Sequence, residues 1–233
     1  MYKNKMILAV VPARAGSKRV KNKNIKNLFK NKSLLDFTYK SASKSKYLDK
    51  IILSTDSEKI IKKAASIGFK NRHKRPKKFS TNKSPSEDAL FHSIKKIKKK
   101  FDYLIMLQPT SPLRTSYDID KSIEKIVDNN LESLMSISKI NKKHKYNIDI
   151  INKKFISYNF ITNIKKKFYY FLNGAIFLCK TSFFLKNKKT FIWQKKLKAG
   201  YYMMPYSRSL DIDTDSDIKK LIKILKKNVQ FNN

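Results

Sequence analysis

Met6-Ile7-Leu8-Ala9-Val10-Val11-Pro12-Ala13-Arg14-Ala15-Gly16-Ser17-Lys18-Arg19-Val20-Lys21-Asn22-Lys23-Asn24 makes two structural statements in one stretch. The unbroken apolar run from Met6 to Val11 has the length and character of a strand buried on both faces, as in parallel sheets. Pro12 ends it. A Gly/Ser loop follows that carries Arg14, Lys18, Arg19, Lys21 and Lys23. Gly16 lets the backbone approach a ligand closely, Ser17 offers a hydroxyl, and the cations can neutralise several phosphate charges at once. Neither the P-loop spacing nor G-x-G-x-x-G is present. The expectation is a first strand feeding a phosphate-holding loop, with a solvated basic turn as the alternative.

Outward from this stretch the same grammar repeats. Ser33 caps a helix over Leu34–Ala42, and Ile51–Asp56 is a second buried strand presenting Ser54, Thr55 and Asp56. Ser57-Glu58 opens a helix to about Ser66, with Gly68 at its C-cap. Arg75-Pro76 begins an irregular segment, and Ser84 is read as the cap before Pro85 and a helix ending in the lysine run 95–100. Tyr103–Leu107 is the next strand. Behind it, Pro109 and Pro112 stiffen a loop that holds Gln108, Thr110, Ser111 and Arg114 at the strand's carboxyl end, where α/β proteins place ligands. A helix over 117–129 and strands at 133–138, 173–178 and 201–204 complete the pattern, the middle strand introduced by an Asn173-Gly174 turn. Strand and helix alternating in this way predict a single α/β domain over 1–233, its sheet mostly parallel with helices on both faces. Residues 140–171 show no helical period and are read as a β-ribbon or loop excursion serving a dimer contact or a substrate site.

The 17 acidic residues are scarce, yet Asp211, Asp213, Asp215 and Asp217 fall together. Asp211 and Asp213 share a side if extended, which suits two oxygen ligands for Mg²⁺ or Mn²⁺. Thr214 and Asp217 form a capping box for a final helix, so Asp215 and Asp217 are read as helix-start residues. An EF-hand is excluded, because its sixth and twelfth positions would be Ser216 and Ile222.

Composition excludes other classes. The lone Cys179 and the scattered His73, His92 and His144 offer no disulfide and no zinc site. No segment has transmembrane length, and a cytoplasmic location is expected. Of the 54 cationic residues in a chain of net charge +37, six are arginines, leaving 54 − 6 = 48 lysines. Base-reading proteins favour arginine's planar fork, so this excess is read as lysine filling solvated positions. A lysine-rich nucleic-acid-binding protein, with aromatics between Tyr158 and Phe171 for stacking, is the rival outside enzymology. No G-x-S-x-G elbow occurs. A cationic loop, a rigid polar loop and a carboxylate pair together suit group transfer on a nucleoside triphosphate.

Pro12–Arg19 with Lys23-Asn24, Ser54-Thr55-Asp56, Arg75-Pro76, Leu107–Arg114, Asn173-Gly174-Ala175 and Asp211–Thr214 occur in the order found in the CMP-N-acylneuraminate synthetase (acylneuraminate cytidylyltransferase) family. The chain resembles that family over most of its length, its Gln-Pro-Thr-Ser loop being closer to the neuraminate and legionaminate branches. The resemblance implies a Rossmann-like nucleotide-diphospho-sugar transferase fold and a homodimer. It implies transfer of CMP from CTP to a nine-carbon ulosonic acid with release of pyrophosphate, and no specific nucleic-acid or membrane partner. Arg14, Gly16, Ser17, Lys18, Lys23 and Asn24 would hold the triphosphate, and Arg75 and Ser86 the cytosine. Gln108, Thr110, Ser111 and Asn173 would face the sugar, and Asp211 and Asp213 would bind Mg²⁺. Arg14, Lys23, Asp211 and Asp213 would be catalytic. The base for the sugar hydroxyl is open between Asp211 and a metal-bound hydroxide. Asn82 stands where the family usually has Asp. Asn163 and Phe171 stand where relatives tend to carry arginine for the sugar's carboxylate, and Lys165, Lys166 or Lys167 would substitute only as point charges. A nearer rival is a related nucleotidyltransferase such as a CMP-Kdo synthetase; a relative retaining the fold without turnover is the third reading.

Overall fold

The computed structural model describes residues 1–17, 19–81, 83–141, 147–151, 155–158, 167–190 and 199–230. Lys18, Asn82, Asn163, Lys165 and Lys166 lie outside them, as do parts of the 140–171 excursion. In chain order the elements are β1 (Ile7–Pro12), α1 (Leu34–Ser43), β2 (Lys50–Thr55), α2 (Glu58–Ser66), β3 (Asn71–Lys74), α3 (Glu87–Lys95), β4 (Tyr103–Met106) and α4 (Ser116–Asp128). Then come β5 (Ser133–Ile140), β6 (Asn147–Ile151), β7 (Phe155–Tyr158), β8 (Tyr169–Lys180), α5 (Thr181–Asn187), β9 (Ala199–Met203) and α6 (Asp215–Gln230).

The strands form one mixed sheet in the order β3-β2-β1-β4-β8-β5-β9-β7-β6. β1 lies between β2 and β4, parallel to both, and β3 continues the parallel set. β8 is antiparallel to β4 and β5, and β9 runs parallel to β5. Alternation along β1 supplies both faces of the sheet. Ile7, Ala9 and Val11 pack with Leu35 of α1 and Ile119, Ile123 and Ile126 of α4; Leu8 and Val10 pack with Leu90 of α3 and Phe183 and Phe184 of α5. Each of the β1 residues from Ile7 to Val11 is at most 1% exposed, as the unbroken apolar run requires.

Within the excursion, β6 pairs antiparallel with β7 and also with β8, while β7 pairs with β9. β8, β5, β9, β7 and β6 therefore close into a ring around Met135, Ile137, Ile148 and Ile156. The described part of the expected ribbon is thus part of the sheet itself.

Three local expectations change. Asn173-Gly174 does not form a turn before a strand. It lies inside β8, where Met135 pairs with Phe177 but Ile137 pairs with Leu172, so the extra β8 residues bulge out. Ser84 does not cap α3; it exchanges hydrogen bonds with Thr81, closing a tight turn, and Ser86 occupies the cap position without a side-chain cap bond. β3 and α5 were not expected. The capping boxes at Ser33 and at Thr214–Asp217 do form. No helix among the described residues is long and apolar enough to cross a membrane.

Candidate active site

The carboxyl ends of β1, β3 and β4 open onto a cleft of ≈ 490 Å³ whose wall includes Arg14, Ser17, Lys23, Asn24, Arg75 and Ser86. The loop after β1 is pinned on both sides. The Ala15 N–H donates to Asp56 Oδ1 at 2.9 Å, and Asn24 Nδ2 donates to the Arg14 carbonyl at 3.1 Å. The Arg14 guanidinium reaches across to the Thr81 carbonyl at 2.6 Å, tying this loop to the segment before α3. A Cβ on Gly16 would meet nothing within 4 Å, so the backbone there faces open space. Arg75 is buried, with Nε donating to Ser80 Oγ at 2.9 Å. Burial pulls its guanidinium below the usual range against the attraction of Asp56.

The acidic pair sits at the far wall. The Ile212 N–H donates to the Thr110 carbonyl at 2.8 Å, and the Ile212 side chain is fully buried with Val20 and Leu34. Anchoring the middle residue of an extended stretch leaves Asp211 and Asp213 on the same, open side. Asp213 is already engaged: Lys23 Nζ donates to Oδ1 at 3.3 Å, and Arg19 Nη2 to Oδ2 at 3.0 Å. Lys23 also donates to the Ile212 carbonyl at 2.7 Å. Among the described residues Asp211 has no cation of its own. Its carboxyl is pushed above the ordinary range by the surrounding protein and by Asp213, against the pull of a Thr110 hydrogen bond and of Lys23. Its exposed surface faces the cleft. A carboxylate raised in this way gains from a divalent cation, and two carboxylates with phosphate oxygens suit Mg²⁺. Among the described residues no three or more acid, imidazole or thiol groups converge to hold a metal ion. Asp217 spends Oδ2 on the Thr214 N–H at 3.0 Å, and Asp215 pairs with Lys26 at 3.6 Å.

A second cavity of ≈ 1030 Å³ adjoins the first. Arg19, Ser86, Gln108, Asp211 and Asp213 line both. Phe171, Leu172, Phe177 and Tyr206 form an apolar side, and Lys220 and Lys223 of α6 a cationic one. The β8 bulge positions Gln108: Gly174 has φ +74°, and a Cβ there would lie 3.3 Å from Gln108 Oε1. Asn173 holds the bulge from inside, its Oδ1 accepting from Ser136 Oγ at 2.6 Å and from the Ala175 N–H at 3.2 Å, its Nδ2 donating to Ser138 Oγ at 2.9 Å. Its amide is therefore committed within the protein. Thr110 lines the first cavity, whereas Ser111 is buried and lines neither. Arg114 is buried beneath the loop and donates to the Gln108 carbonyl at 3.2 Å and the Ala175 carbonyl at 2.7 Å, fastening loop to bulge. Burial lowers its guanidinium to about 10.

Sequence reasoning did not single out Arg19, Tyr206, Lys220 or Lys223 as site residues. Arg19 was visible only as one of five loop cations; the i,i+3 spacing of Asp217, Lys220 and Lys223 could have put one helix face against the carboxylate pair.

A family model described as Cytidylyltransferase matches residues 8–233. The post-translational flagellin modification protein B of Campylobacter coli is 32% identical, over 96% of this chain and 97% of its own. The CMP-N,N'-diacetyllegionaminic acid synthase of Legionella pneumophila is 30% identical, over 95% and 97%. The N-acylneuraminate cytidylyltransferase of Escherichia coli is 30% identical over 95% of this chain but only 52% of its own length. In fold, a CMP:2-keto-3-deoxy-manno-octonic acid synthetase complexed with CTP superposes with a TM-score of 0.80, covering 96% of this chain and 99% of its own at 15% identity.

Proposed function

The chain belongs to the cytidylyltransferase family, and from that premise we propose that it transfers CMP from CTP to the anomeric hydroxyl of a nine-carbon ulosonic acid of the neuraminate or legionaminate type, releasing pyrophosphate. The observation that carries the reading is the shared wall: a cationic, loop-lined cleft and a larger, half-apolar cavity meet at Gln108, Asp211 and Asp213. Such a junction brings a nucleotide's α-phosphate and a sugar's hydroxyl together between fixed polar groups. The relatives named for legionaminic and neuraminic acids support this acceptor class.

In this reading Arg14, Ser17, Lys23 and Asn24, with Lys18, bind the triphosphate, and Arg75 and Ser86 bind the cytosine. Gln108 and the bulge it rests on orient the sugar. Asp211 and Asp213 hold Mg²⁺ or Mn²⁺, which when bound neutralises phosphate charge and orients the leaving pyrophosphate. Lys23, held on the Ile212 carbonyl, keeps a positive charge beside the departing phosphates. Asp211 lines both cavities and is the protein candidate for accepting the hydroxyl proton. A cytoplasmic homodimer, its product feeding surface-glycan synthesis, belongs to the same reading; exposed Phe168, Met203 and Tyr206 near the strand ring give a second copy an apolar surface.

The test is Asp211→Asn. Pyrophosphate release should fall about a hundredfold or more while CTP still binds by calorimetry. Unchanged turnover would remove Asp211 from the chemistry and the reading with it.

A further inference from the structure

A 2-ulosonic acid carries its carboxylate on the same carbon as the hydroxyl that reacts. Resting on the transfer proposed above, this chemistry brings a negative charge to the junction of the two cavities, beside Asp211, Asp213 and the triphosphate. A cation is needed there. Lys220 and Lys223 line only the sugar cavity, and Arg14, Lys23 and Arg75 only the nucleotide cleft; among the described residues Arg19 is the single cationic side chain that lines both.

We infer that Arg19 is the residue that recognises the acceptor's carboxylate, and so sets the preference for acidic sugars. Its guanidinium now rests on a carboxylate, Asp213 Oδ2, at 3.0 Å. That pair is open to water, the Arg19 side chain being 63% exposed, so exchanging it for another carboxylate costs little. Lys23, the other partner of Asp213, is 14% exposed and fixed on the Ile212 carbonyl, and is not free to follow. A cation taking up Asp213 would release Arg19 beside the acceptor, where its planar fork can engage both oxygens of a carboxylate. Apart from Asp211 and Asp213, the other charged groups lining this cavity do not line the nucleotide cleft. Asp217 caps α6 and pairs with Lys220 at 3.2 Å, and Glu87 accepts from Thr190. Lys223 lies on α6 and lines the sugar cavity.

The test compares wild type, R19Q and R19K in pyrophosphate release at saturating CTP. The acceptors are N-acetylneuraminic, N,N'-diacetyllegionaminic and pseudaminic acids, each with its methyl ester, which removes the charge and keeps the sugar. Wild type should prefer acid over ester by about 10- to 100-fold in kcat/KM. R19Q should lose that preference through a higher KM for the acid, with KM for the ester and for CTP within about twofold of wild type, and R19K should keep part of it. Full acid preference in R19Q, with or without its loss in K220Q/K223Q, or an effect confined to KM for CTP, overturns the assignment and leaves the transfer reading standing. A wild-type protein that releases no pyrophosphate with any of the three acids overturns that reading and this inference together.

Discussion

Asp211 and Asp213 are two residues apart and chemically identical, yet their surroundings divide the labour between them. Asp213 is neutralised by Arg19 and Lys23; Asp211 keeps a raised carboxyl with, among the described residues, a hydroxyl partner in Thr110. Their proximity and their shared side were legible from spacing, because period-two geometry needs only local sequence. The division between them was not, because Arg19 and Lys23 lie some 190 residues away. Arg75 shows the same limit: its type and its Pro76 neighbour marked it, but its burial against Ser80 comes from the turn that follows. Arg75→Lys keeps the charge and loses the Nε bond and the planar fork. The expected outcome is a KM for CTP about tenfold higher with kcat nearly unchanged, read from initial rates; an unaltered KM would take Arg75 out of the nucleotide cleft.

Elements with strong periodicity or caps were readable, and elements defined by their neighbours were not. β1, β2 and β4 announce themselves as apolar runs, α1 by its Ser33 cap and α6 by a capping box. β3 is Asn71-Arg72-His73-Lys74, a polar edge strand whose pairing with β2 is the main mark of its strand character. The β8 bulge hid behind an Asn-Gly pair that reads as a turn whenever the partner strand is unknown. Gly174→Ala places a Cβ at φ +74°, a strained backbone, and 3.3 Å from Gln108 Oε1. It should cost about 1 kcal/mol of stability and raise KM for the sugar more than KM for CTP, in a parallel melt and kinetic series. The segment leading to Asp211 is held by another long-range contact, Arg208 Nη2 to the fully buried Asp118 at 2.6 Å, with the Tyr202 hydroxyl donating at 3.0 Å. Burial alone would raise the Asp118 carboxyl; the hydrogen bonds from Arg208 and Thr115 outweigh it and hold the group below its ordinary value. A carboxyl depressed in the folded state contributes stability above its unfolded value of about 3.9 and loses it as pH falls through the folded one. Arg208→Ala should therefore cost about 3 kcal/mol at neutral pH. Urea denaturation should show the gap narrowing as the medium is acidified through the carboxylate range, and a pH-independent gap would mean that the bridge is not its source.

At the scale of the molecule, the sheet gathers the carboxyl ends of its parallel strands at one edge, and β8, running the other way, brings the bulge back to that edge. The ordered motifs made the parallel half legible; the antiparallel run of β8 and the closure of β5 to β9 into a ring were not, since they depend on pairings across the whole second half of the chain. The net charge of +37 misleads at this scale. Spread over solvated lysines, it should give polyanion binding that falls steeply with salt, while CTP turnover, which rests on a few cations of one cleft, persists. Heparin retention and initial rates followed from low to moderate salt would separate the two, and parallel loss would favour a nucleic-acid binder. The central claim is cytidylyl transfer to a nine-carbon acid sugar, and pyrophosphate release by wild-type protein with Mg²⁺ tests it most directly, using CTP or UTP against neuraminic, legionaminic, pseudaminic and eight-carbon octulosonic acids. Release that requires CTP and one of the nine-carbon acids is the predicted result; release only with the eight-carbon acid, or none with any acceptor from protein that is folded, would contradict it.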